Sequence, residues 1–409
     1  MAIAPVSRSF PRADRGRSVS ARHTLLELFD AALRAAHGRA LVAAALRGQT
    51  GDCAIFAIGK AASAMALGAH DALGSRIAQM LVVTKDGHAD PDLARLGAVT
   101  VLETAHPYPD ERSLAAGAEL EQRLARLDAG LYPIFLISGG SSSLVESLPE
   151  GVTLAALREF NERGFAAGLD IAELNAGRAR LSRLKGGGVA RMLGGRQATA
   201  LFISDVPGDD PSVIGSGLLG GDGRRQDGIR RVVVANIDVA LATVVDVAQA
   251  RGLVLERRDT RFDGDADDTA REFVEALRTS RADGLVWGGE STVKLPARHG
   301  RGGRNTHLAL RTARLLRAGE ALTILAAGTD GTDGATTDAG AIVDAETADR
   351  AELAGCDVDR ALREFDSGSA LEAAGDLLHT GPTGTNVGDI LIGIRRDMAV
   401  RGPWPARMI

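Results

Sequence analysis

Short apolar runs alternate with longer segments of helical periodicity along most of the chain. The runs that predict strands cover residues 53–58, 80–84, 99–103, 134–138, 199–204, 231–236, 284–289, 322–328 and 389–394. The segments that predict helices cover residues 60–73, 111–127, 154–168, 239–251, 268–280 and 305–317. Because the strand candidates are apolar throughout, they are expected to be buried on both faces. Their alternation with helices predicts an α/β fold with parallel sheets covered on both sides.

Length and two polar breaks divide this pattern into two predicted domains. A chain of 409 residues exceeds the usual size of one domain. Glycine-rich and acidic breaks occupy residues 214–228 and 258–268, and we place the boundary at the second. We therefore expect an N-terminal domain over 23–257 and a C-terminal domain over 258–409. Residues 1–22 are rich in Arg and Ser with little apolar content, which predicts a disordered tail.

Charge and composition exclude several classes of function. The formal net charge of −5 argues against nucleic acid as the main partner, because phosphate backbones recruit clustered cations. No apolar run reaches the roughly 18–20 residues that span a bilayer, so no membrane partner is expected. Cys53 and Cys356 form no CxxC pair, which is typical of a reducing cytoplasm and predicts a cytoplasmic protein.

The choice of basic residues indicates where a compact cation is needed. The chain has 44 arginines and 4 lysines, and three of the lysines, Lys60, Lys85 and Lys185, lie within two positions of a glycine. Lysine carries a point charge on a slim stem, whereas arginine is a wide planar fork. Lys60 and Lys185 are therefore candidates for tight anion sites, with codon preference as the alternative explanation.

Three loops that follow predicted strands carry candidate chemistry. In parallel α/β folds, ligands bind beyond the carboxyl ends of the strands. Gly59 and Lys60 open a helix, which suits an anion. The loop at Ser138–Ser142 is nearly all backbone and hydroxyl and predicts an anion cradle. Asp205 and Asp209 follow the next strand and can serve as a base or hold Mg²⁺. Each loop alone is also compatible with an ordinary turn.

The second half of the chain repeats this arrangement of polar loops after strands. Arg304 stands at the start of a predicted helix. The nucleotide-binding candidates in these loops are Glu290, Asp330, Asp333, Thr383, Thr385 and Asn386. Phosphoryl transfer needs cations on the moving charge, a metal and a carboxylate near the acceptor hydroxyl. The sequence contains residues for all three needs.

Two matches to nucleotide motifs are weak. Residues 215–220 satisfy G-x-G-x-x-G, but no strand leads directly into them and no hydrophobic helix follows. The segment IGKAAS at 58–63 is not a phosphate-binding P-loop, because Ala61 stands where Ser or Thr is required. Neither match supports a dinucleotide cofactor.

The ordered set of motifs resembles one family. The motifs are AIGKAASAM, TAHPYPDERSLAAG, LISGGSSSLVESLPEGVTL, LSRLKGG, ISDVPGDDPSVIGSG, GGEST, GRGGRN, AAGTDGTDG and TGPTGTNVGD. Together they closely resemble the glycerate 2-kinase family with a C-terminal MOFRL domain, whose members are often labelled hydroxypyruvate reductase. The resemblance runs from about residue 24 to about residue 394, nearly the whole chain.

The resemblance implies a fold and a reaction. It implies a Rossmann-like parallel α/β domain, a smaller α/β MOFRL domain and an active site in the cleft between them. It also implies phosphorylation of D-glycerate to 2-phosphoglycerate with ATP and Mg²⁺. The family's lysine, aspartate and arginine fall on Lys60, Asp205 and Arg304. Lys60 would bind the substrate carboxylate or the phosphate, Asp205 would orient or deprotonate the C2 hydroxyl, and Arg304 would neutralise charge.

Further candidate residues complete the expected site. The residues expected to bind substrate or phosphate are Ser138, Gly139, Gly140, Ser141, Ser142, Arg178, Lys185, Gly186 and Gly187. Relatives commonly have VRKHLS and GRNQE where this chain has GRARLS at 177–182 and GRNTH at 303–307. A related hydroxy or sugar acid is therefore an alternative substrate. A hydroxypyruvate reductase and a non-catalytic phosphosugar sensor are alternative functions, and a homodimer is left open.

Overall fold

In the computed structural model, the described residues are 20–166, 171–220, 228–296 and 298–395. Within these residues the chain forms two compact units, each built on its own sheet. The first unit comprises Ala36–Asn236 together with Gly384–Val387. The second comprises the described residues up to Ala35, Ile237–Thr383, and those from Gly388 onward.

Each predicted strand and helix is found among the described residues, which also contain further helices and strands that the hydrophobic pattern did not identify. The helices are α1 (Ala21–Ala35), α2 (Gly38–Ala45), α3 (Ala62–Leu73), α4 (Glu111–Ala125), α5 (Ser141–Leu144), α6 (Leu154–Ala166), α7 (Ile171–Arg180), α8 (Gly188–Met192), α9 (Ile237–Ala250), α10 (Ala266–Thr279), α11 (Arg304–Leu315), α12 (Thr347–Leu353), α13 (Val358–Arg363) and α14 (Ser367–Ala374). The strands are β1 (Cys53–Ile58), β2 (Ile77–Lys85), β3 (Val99–Thr104), β4 (Tyr132–Ile137), β5 (Ala198–Ile203), β6 (Ile229–Ala235), β7 (Leu255–Arg257), β8 (Gly284–Gly289), β9 (Leu322–Gly328), β10 (Gly340–Asp344), β11 (Leu377–Leu378) and β12 (Asp389–Arg395). Short 3₁₀ turns cover Gly74–Arg76, Pro91–Arg95, Pro207–Asp209 and Ile214–Ser216.

The sheet of the first unit confirms the parallel α/β prediction. Its described strands run in the order β3-β2-β1-β4-β5-β6, and every neighbouring pair is parallel. Strands β1 and β5 are buried along their whole length, which explains why their sequences do not alternate. Phe56 of β1 stacks on Phe135 of β4 with ring centroids 5.1 Å apart, so the core continues across the sheet centre.

The sheet of the second unit is mixed, and the expectation of a parallel sheet was wrong there. Its described strands run in the order β11-β10-β9-β12-β8-β7, and within them only β7 and β8 pair in parallel. Strand β12 comes from the end of the chain and lies between β8 and β9, antiparallel to both. An apolar run reports burial on two faces but carries no information about strand direction, so the pattern missed this reversal.

The helices α1 and α9 both belong to the second unit, although they precede most of it in sequence. Helix α9 buries Ile237, Leu241 and Val244 along one face and packs against α1. The compact units divide between Asn236 and Ile237, whereas the polar breaks placed the boundary after residue 257. The pattern did not reveal this, because an apolar helix face does not specify the sheet that it covers.

The predicted tail overlaps the start of α1. Residues 1–19 lie outside the described residues, but Ala21 and Arg22 are helical. The Arg22 guanidinium donates hydrogen bonds to Asp344 at 3.1 Å and to Asp376 at 2.6 Å. Both carboxylates have side chains that are only 2% exposed, and Arg350 pairs with both as well. Arg22 thus ties the N-terminal helix to the second unit.

We expect Arg22→Ala to lower the free energy of unfolding at neutral pH by about 1.5–3 kcal/mol, the range for hydrogen bonds to charged groups. Burial raises the pKa of Asp344, but Arg350 and Arg22 outweigh burial and bring this pKa to about 2. A depressed carboxyl pKa stabilises the fold above the usual value near 4 and loses that effect as the pH falls toward about 2. The difference in the free energy of unfolding between the wild type and Arg22→Ala should therefore become smaller as the pH falls from about 4 to about 2.

The matched control for this prediction is Arg34→Ala on the same helix. Arg34 pairs with Asp30 on the surface, and such exposed pairs contribute about 0–1 kcal/mol. Thermal and urea unfolding of both variants measure the difference. Equal, small losses for Arg22→Ala and Arg34→Ala would contradict the anchoring role of Arg22.

No helix among the described residues is long and apolar enough to cross a membrane.

Candidate active site

The strand order of the first unit selects one place on the sheet for a ligand. Chain connections run outward in opposite directions from the neighbouring strands β1 and β4. In doubly wound sheets, ligands bind in the crevice beyond the carboxyl ends of the strands at such a switch point. The loops that leave β1 and β4 there begin at Gly59 and Ser138, the two loops that the sequence marked as anion sites.

Ser138 joins these two loops to each other. Its backbone N–H donates to the carbonyl of Ile58 at 3.0 Å, and its buried Oγ accepts from the N–H of Ala61 at 3.0 Å. The N–H of Lys60 donates to the carbonyl of Gly139 at 3.0 Å. The hydrogen bonds of Ser138 therefore hold the loop at Gly59 and Lys60 against the loop at Ser138–Ser142.

Gly139 makes room for a carboxylate and an amide. A Cβ at this position would overlap both Oδ2 of Asp205 and Nδ2 of Asn386. The same two atoms form a hydrogen bond, in which Asn386 donates to Asp205 at 2.8 Å. Asn386 is 5% exposed and belongs to the short segment Gly384–Val387 of the first unit. The site thus orients Asp205 through a residue 181 positions away in sequence.

Gly140 makes room for a lysine and a histidine. Its φ is +84°, which favours glycine. A Cβ there would lie 3.1 Å from Cγ of Lys60, 3.1 Å from Cδ2 of His106 and 3.3 Å from Nε2 of His106. His106 was not among the predicted site residues. The sequence feature that could have identified His106 is the one that identified Lys60 and Asp205: a polar side chain in the loop that follows a strand, here β3.

These contacts change the interpretation of the glycines. The sequence predicted that Gly139 and Gly140 let an anion approach the backbone. In the described structure their Cα atoms lie against four side chains of the protein itself: Lys60, His106, Asp205 and Asn386. The neighbouring Ser141 is buried at the start of α5, and a Cβ at Gly215 would overlap its Oγ. Ser142 next to it is half-buried. Binding of an anion by this loop stays a prediction.

Asp209, the second predicted metal ligand, accepts a hydrogen bond from a different asparagine than Asp205 does. Its Oδ2 accepts from Nδ2 of Asn236 at 2.6 Å. Among the described residues, no group of three or more His, Cys, Asp or Glu side chains is arranged to hold a metal by itself. Mg²⁺ is usually bound by one or two carboxylates together with waters and substrate phosphates.

The predicted residues Arg178 and Lys185 form part of a buried charged cluster around Glu146. Lys185 is 1% exposed and its ammonium pairs with the Glu146 carboxylate, which is fully buried. Burial lowers the pKa of Lys185, opposed by Glu146. Burial likewise lowers the pKa of Arg178, whose Nε donates to Asn161 at 2.8 Å. Lys185 therefore forms a buried ion pair with Glu146, and its ammonium does not face solvent.

The predicted Gly186 and Gly187 fold against the Gly-rich segment at 215–220. Their N–H groups donate to the carbonyls of Ser216 at 3.0 Å and Gly217 at 2.7 Å. Both glycines have a positive φ. The G-x-G-x-x-G match thus makes a backbone contact with another loop instead of opening a helix after a strand.

In the second unit, Arg304 is held by two carboxylates. It begins helix α11 and makes a bidentate ion pair with Asp389 at 2.6 and 3.1 Å, while Nη1 lies 2.5 Å from Glu290. Asp389 is 1% exposed, and burial raises its pKa to about 6 although Arg304 opposes this. The sequence identified Arg304 and Glu290 and missed Asp389, because this residue reads as the first position of a strand.

The remaining second-unit candidates have largely structural contacts. Asp333 is buried and accepts from the N–H groups of Asn305 at 3.0 Å and Thr306 at 2.7 Å, so it caps α11. Burial raises the pKa of Asp333, against these hydrogen bonds. Asp330 accepts from the N–H of Thr332 at 2.9 Å, and the Thr383 hydroxyl donates to the carbonyl of Thr329. Thr385, which lies in the first unit, is 1% exposed.

Comparison with known proteins identifies the family of this chain. A family model described as a domain of unknown function, DUF4147, matches residues 24–249, and the MOFRL family model matches residues 284–389. D-glycerate 2-kinase from Thermotoga maritima is 33% identical over 83% of this chain and 90% of its own. The chain belongs to the glycerate 2-kinase family with a C-terminal MOFRL domain.

Two further comparisons support membership of this glycerate 2-kinase family. The crystal structure of glycerate kinase from Thermotoga maritima superposes with a TM-score of 0.77 at 31% identity, covering 91% of this chain and 98% of that one. A relative from Agrobacterium vitis, 35% identical over 91% of this chain and 94% of its own, carries a provisional hydroxypyruvate reductase name. Both the kinase and the reductase labels thus occur among relatives, as the resemblance implied.

One departure from the usual glycerate 2-kinase motif has a structural explanation. His307 of GRNTH is buried in α11, stacks on Phe365 with ring centroids 4.7 Å apart, and its Nε2 lies 3.1 Å from Asp267. Burial lowers the pKa of His307, opposed by Asp267. This histidine therefore packs helix α11 against its neighbours within the second unit.

Proposed function

We propose that this chain is an ATP-dependent kinase that phosphorylates the C2 hydroxyl of D-glycerate to give 2-phosphoglycerate. The observation that carries the proposal is the meeting of Lys60 and the Asp205–Asn386 pair on two consecutive glycines at the sheet's switch point. At this edge of the sheet, the Lys60 ammonium matches the carboxylate of a hydroxy acid, and the oriented Asp205 carboxylate matches its hydroxyl group. The names of the Thermotoga maritima relatives supply the substrate.

The first-unit residues have distinct roles in the proposed reaction. Lys60 binds the carboxylate of glycerate or the incoming phosphoryl group through its ammonium. Asp205 accepts a hydrogen bond from the C2 hydroxyl and takes its proton as the oxygen attacks the γ-phosphorus, with ADP as the leaving group. Asn386 occupies one oxygen of Asp205 and so holds the carboxylate in one orientation. For Arg304, which belongs to the second unit, the proposed role is to supply positive charge for the transferring group.

The donor set fits magnesium-bound ATP. Mg²⁺ is usually held by one or two carboxylates together with substrate phosphates, so a cage of protein ligands alone is not required. Asp209 is a carboxylate that would hold the ion, with Asp205 as an alternative ligand if it does not act as the base, and the ion would neutralise phosphate charge. Glu290, Asp330, Thr383 and Thr385 remain the proposed nucleotide contacts, whereas both oxygens of Asp333 already cap α11.

The test of the proposed function follows ADP release with D-glycerate, ATP and Mg²⁺. Added enolase without phosphoglycerate mutase reports 2-phosphoglycerate directly, because 3-phosphoglycerate is not its substrate. Tartronate, erythronate and threonate in the same assay test the related hydroxy and sugar acids. Absence of ADP release with D-glycerate, together with release with one of the others, would reassign the substrate.

A reductase is the second candidate, because the Agrobacterium vitis relative carries that name. The G-x-G-x-x-G segment argues against it, since residues 215–220 contact the loop at Gly186 and Gly187 instead of joining a strand to a helix. Oxidation of NADH or NADPH by hydroxypyruvate without ATP would establish the reductase and refute the kinase as the main activity.

We expect Lys60→Arg to be nearly as damaging as Lys60→Ala, each lowering kcat/KM for D-glycerate by at least about 100-fold. The Lys60 stem passes against Gly140 beside His106, where a wide guanidinium changes the position of the charge. Lys294→Arg, at an exposed lysine of the second unit, is the matched control. Steady-state kinetics on the three variants measure the effect. Turnover of Lys60→Arg close to the wild type would show that any cation suffices there.

A further inference from the structure

His106 lies on a loop that is fixed at both ends. Before it, the buried Thr104 at the end of β3 donates through Oγ1 to the carbonyl of Leu144 at 2.9 Å. After it, Asp110 caps helix α4 by accepting from the N–H groups of Arg112 and Ser113 at 3.0 and 3.1 Å. With both ends held, the position of the half-buried imidazole is set by the fold.

The imidazole shares its place with the residues of the proposed reaction. Cδ2 of His106 and Cγ of Lys60 would each lie 3.1 Å from a Cβ at Gly140, so the two side chains flank the same backbone point. Asp205 and Asn386 flank Gly139, the preceding residue. Consecutive Cα atoms are about 3.8 Å apart, so the side chains at Gly139 and those at Gly140 lie against adjacent backbone positions, a spacing that suits a three-carbon acid.

We propose that His106 hydrogen-bonds the acceptor hydroxy acid and selects which of its hydroxyl groups is presented to Asp205. This inference rests on the proposed kinase function and adds a residue to it. Glycerate offers two hydroxyl groups, at C2 and C3, and a carboxylate held by Lys60 alone leaves the acid free to rotate. A second polar contact from Nε2, which lies beside the lysine stem at Gly140, removes that freedom.

The alternative is that His106 only fills the space above Gly140. A purely packing role predicts a lower melting temperature after substitution, with unchanged recognition of the acid. A role in contacting substrate predicts a change in recognition even in a fully folded variant. The two roles therefore differ in KM and in the identity of the product, which packing does not control.

The experiment compares His106→Ala and His106→Gln with the wild type. For His106→Ala we expect the KM for D-glycerate to rise about 10- to 100-fold, the effect of losing one hydrogen bond to a charged ligand, with the KM for ATP unchanged. We also expect 3-phosphoglycerate to appear, measured as product that enolase converts only after phosphoglycerate mutase is added. His106→Gln retains a side-chain N–H donor and is expected to restore most of the selectivity.

A binding measurement provides a readout that does not need turnover. Calorimetric titration with D-glycerate should show a weaker Kd for His106→Ala by a similar factor. The matched control is His70→Gln, in the last turn of α3 in the same unit, which should leave KM, Kd and product ratio within about twofold. If His106→Ala folds poorly, the same measurements on His106→Gln still test the role of His106.

Two results would overturn the role of His106. One is an unchanged KM, Kd and product ratio in a folded His106→Ala. The other is an equal rise of both KM values that follows a lower melting temperature in both variants. Failure of the wild-type enzyme to release ADP with D-glycerate would instead refute the proposed function, so the two failures are distinguishable.

Discussion

Arg304→Ala is expected to lower kcat by about a thousandfold, the scale on which charge-stabilising arginines act in phosphoryl transfer. It is also expected to destabilise the second unit. Arg304 makes a bidentate ion pair with Asp389, which is 1% exposed, and truncation leaves this carboxylate buried without its cation. Breaking a buried pair in this way costs about 3–5 kcal/mol. The proposed role of Arg304 predicts the catalytic loss, and its buried ion pair predicts the structural loss.

A second substitution separates the two losses. Asp389→Asn removes the stranded charge, so Arg304→Ala in the Asp389→Asn background should regain much of the lost stability. The kcat of this double variant, compared with Asp389→Asn alone, reports the catalytic part on folded protein. If the double variant turns over at the same rate as Asp389→Asn, Arg304 only holds the fold and the charge-neutralising role is refuted.

The pH dependence of stability provides an independent check on this pair. The Asp389 pKa of about 6 lies above the usual carboxyl value of 3.8, so the folded state binds the proton more tightly than the unfolded state. The contribution of Asp389 to the free energy of unfolding therefore rises as the pH falls from about 6 to 3.8. Without Arg304 the raised pKa moves further up. The melting-temperature deficit of Arg304→Ala should then be smaller near pH 5 than near pH 8.

Asp205→Asn is expected to lower kcat by about 10²–10⁴-fold, the usual contribution of a positioned acid or base, and to change the KM for D-glycerate by less than about threefold. The substituted amide oxygen can still accept the hydrogen bond that Asn386 donates at 2.8 Å, so the fold is preserved. What is lost is the negative charge and the capacity to take a proton, which acts in the transition state.

The control for Asp205→Asn lies on the same loop. Asp210 is exposed, and its carboxylate accepts only a local hydrogen bond from the N–H of Ser212 at 2.8 Å among the contacts described for it. Asp210→Asn should leave kcat within about twofold. A rise in KM with unchanged kcat for Asp205→Asn would show that this aspartate binds the acid and does not act on its hydroxyl.

Local patterns in the chain were sufficient for the fold class and for part of the candidate site. Uninterrupted apolar runs predicted buried strands, and the loops after them contained Lys60, Asp205 and the Ser138–Ser142 segment. These features depend on short-range physics: side-chain period, glycine conformations and the position of polar residues at strand ends. Motif order alone also indicated the family. A single sequence reveals all of these because each motif lies within a few consecutive residues and the order of the motifs can be read directly along the chain.

Only the tertiary structure shows which residues distant in sequence are in contact and which charged side chains are buried in ion pairs. Asn386 contacts Asp205 across 181 positions, and Arg22 pairs with Asp376 across 354. The same applies to the antiparallel insertion of β12 between β8 and β9. Lys185 looked like an anion site but is enclosed with Glu146. Burial and long-range pairing depend on the folded arrangement of the whole unit, so residue types and spacing do not specify them.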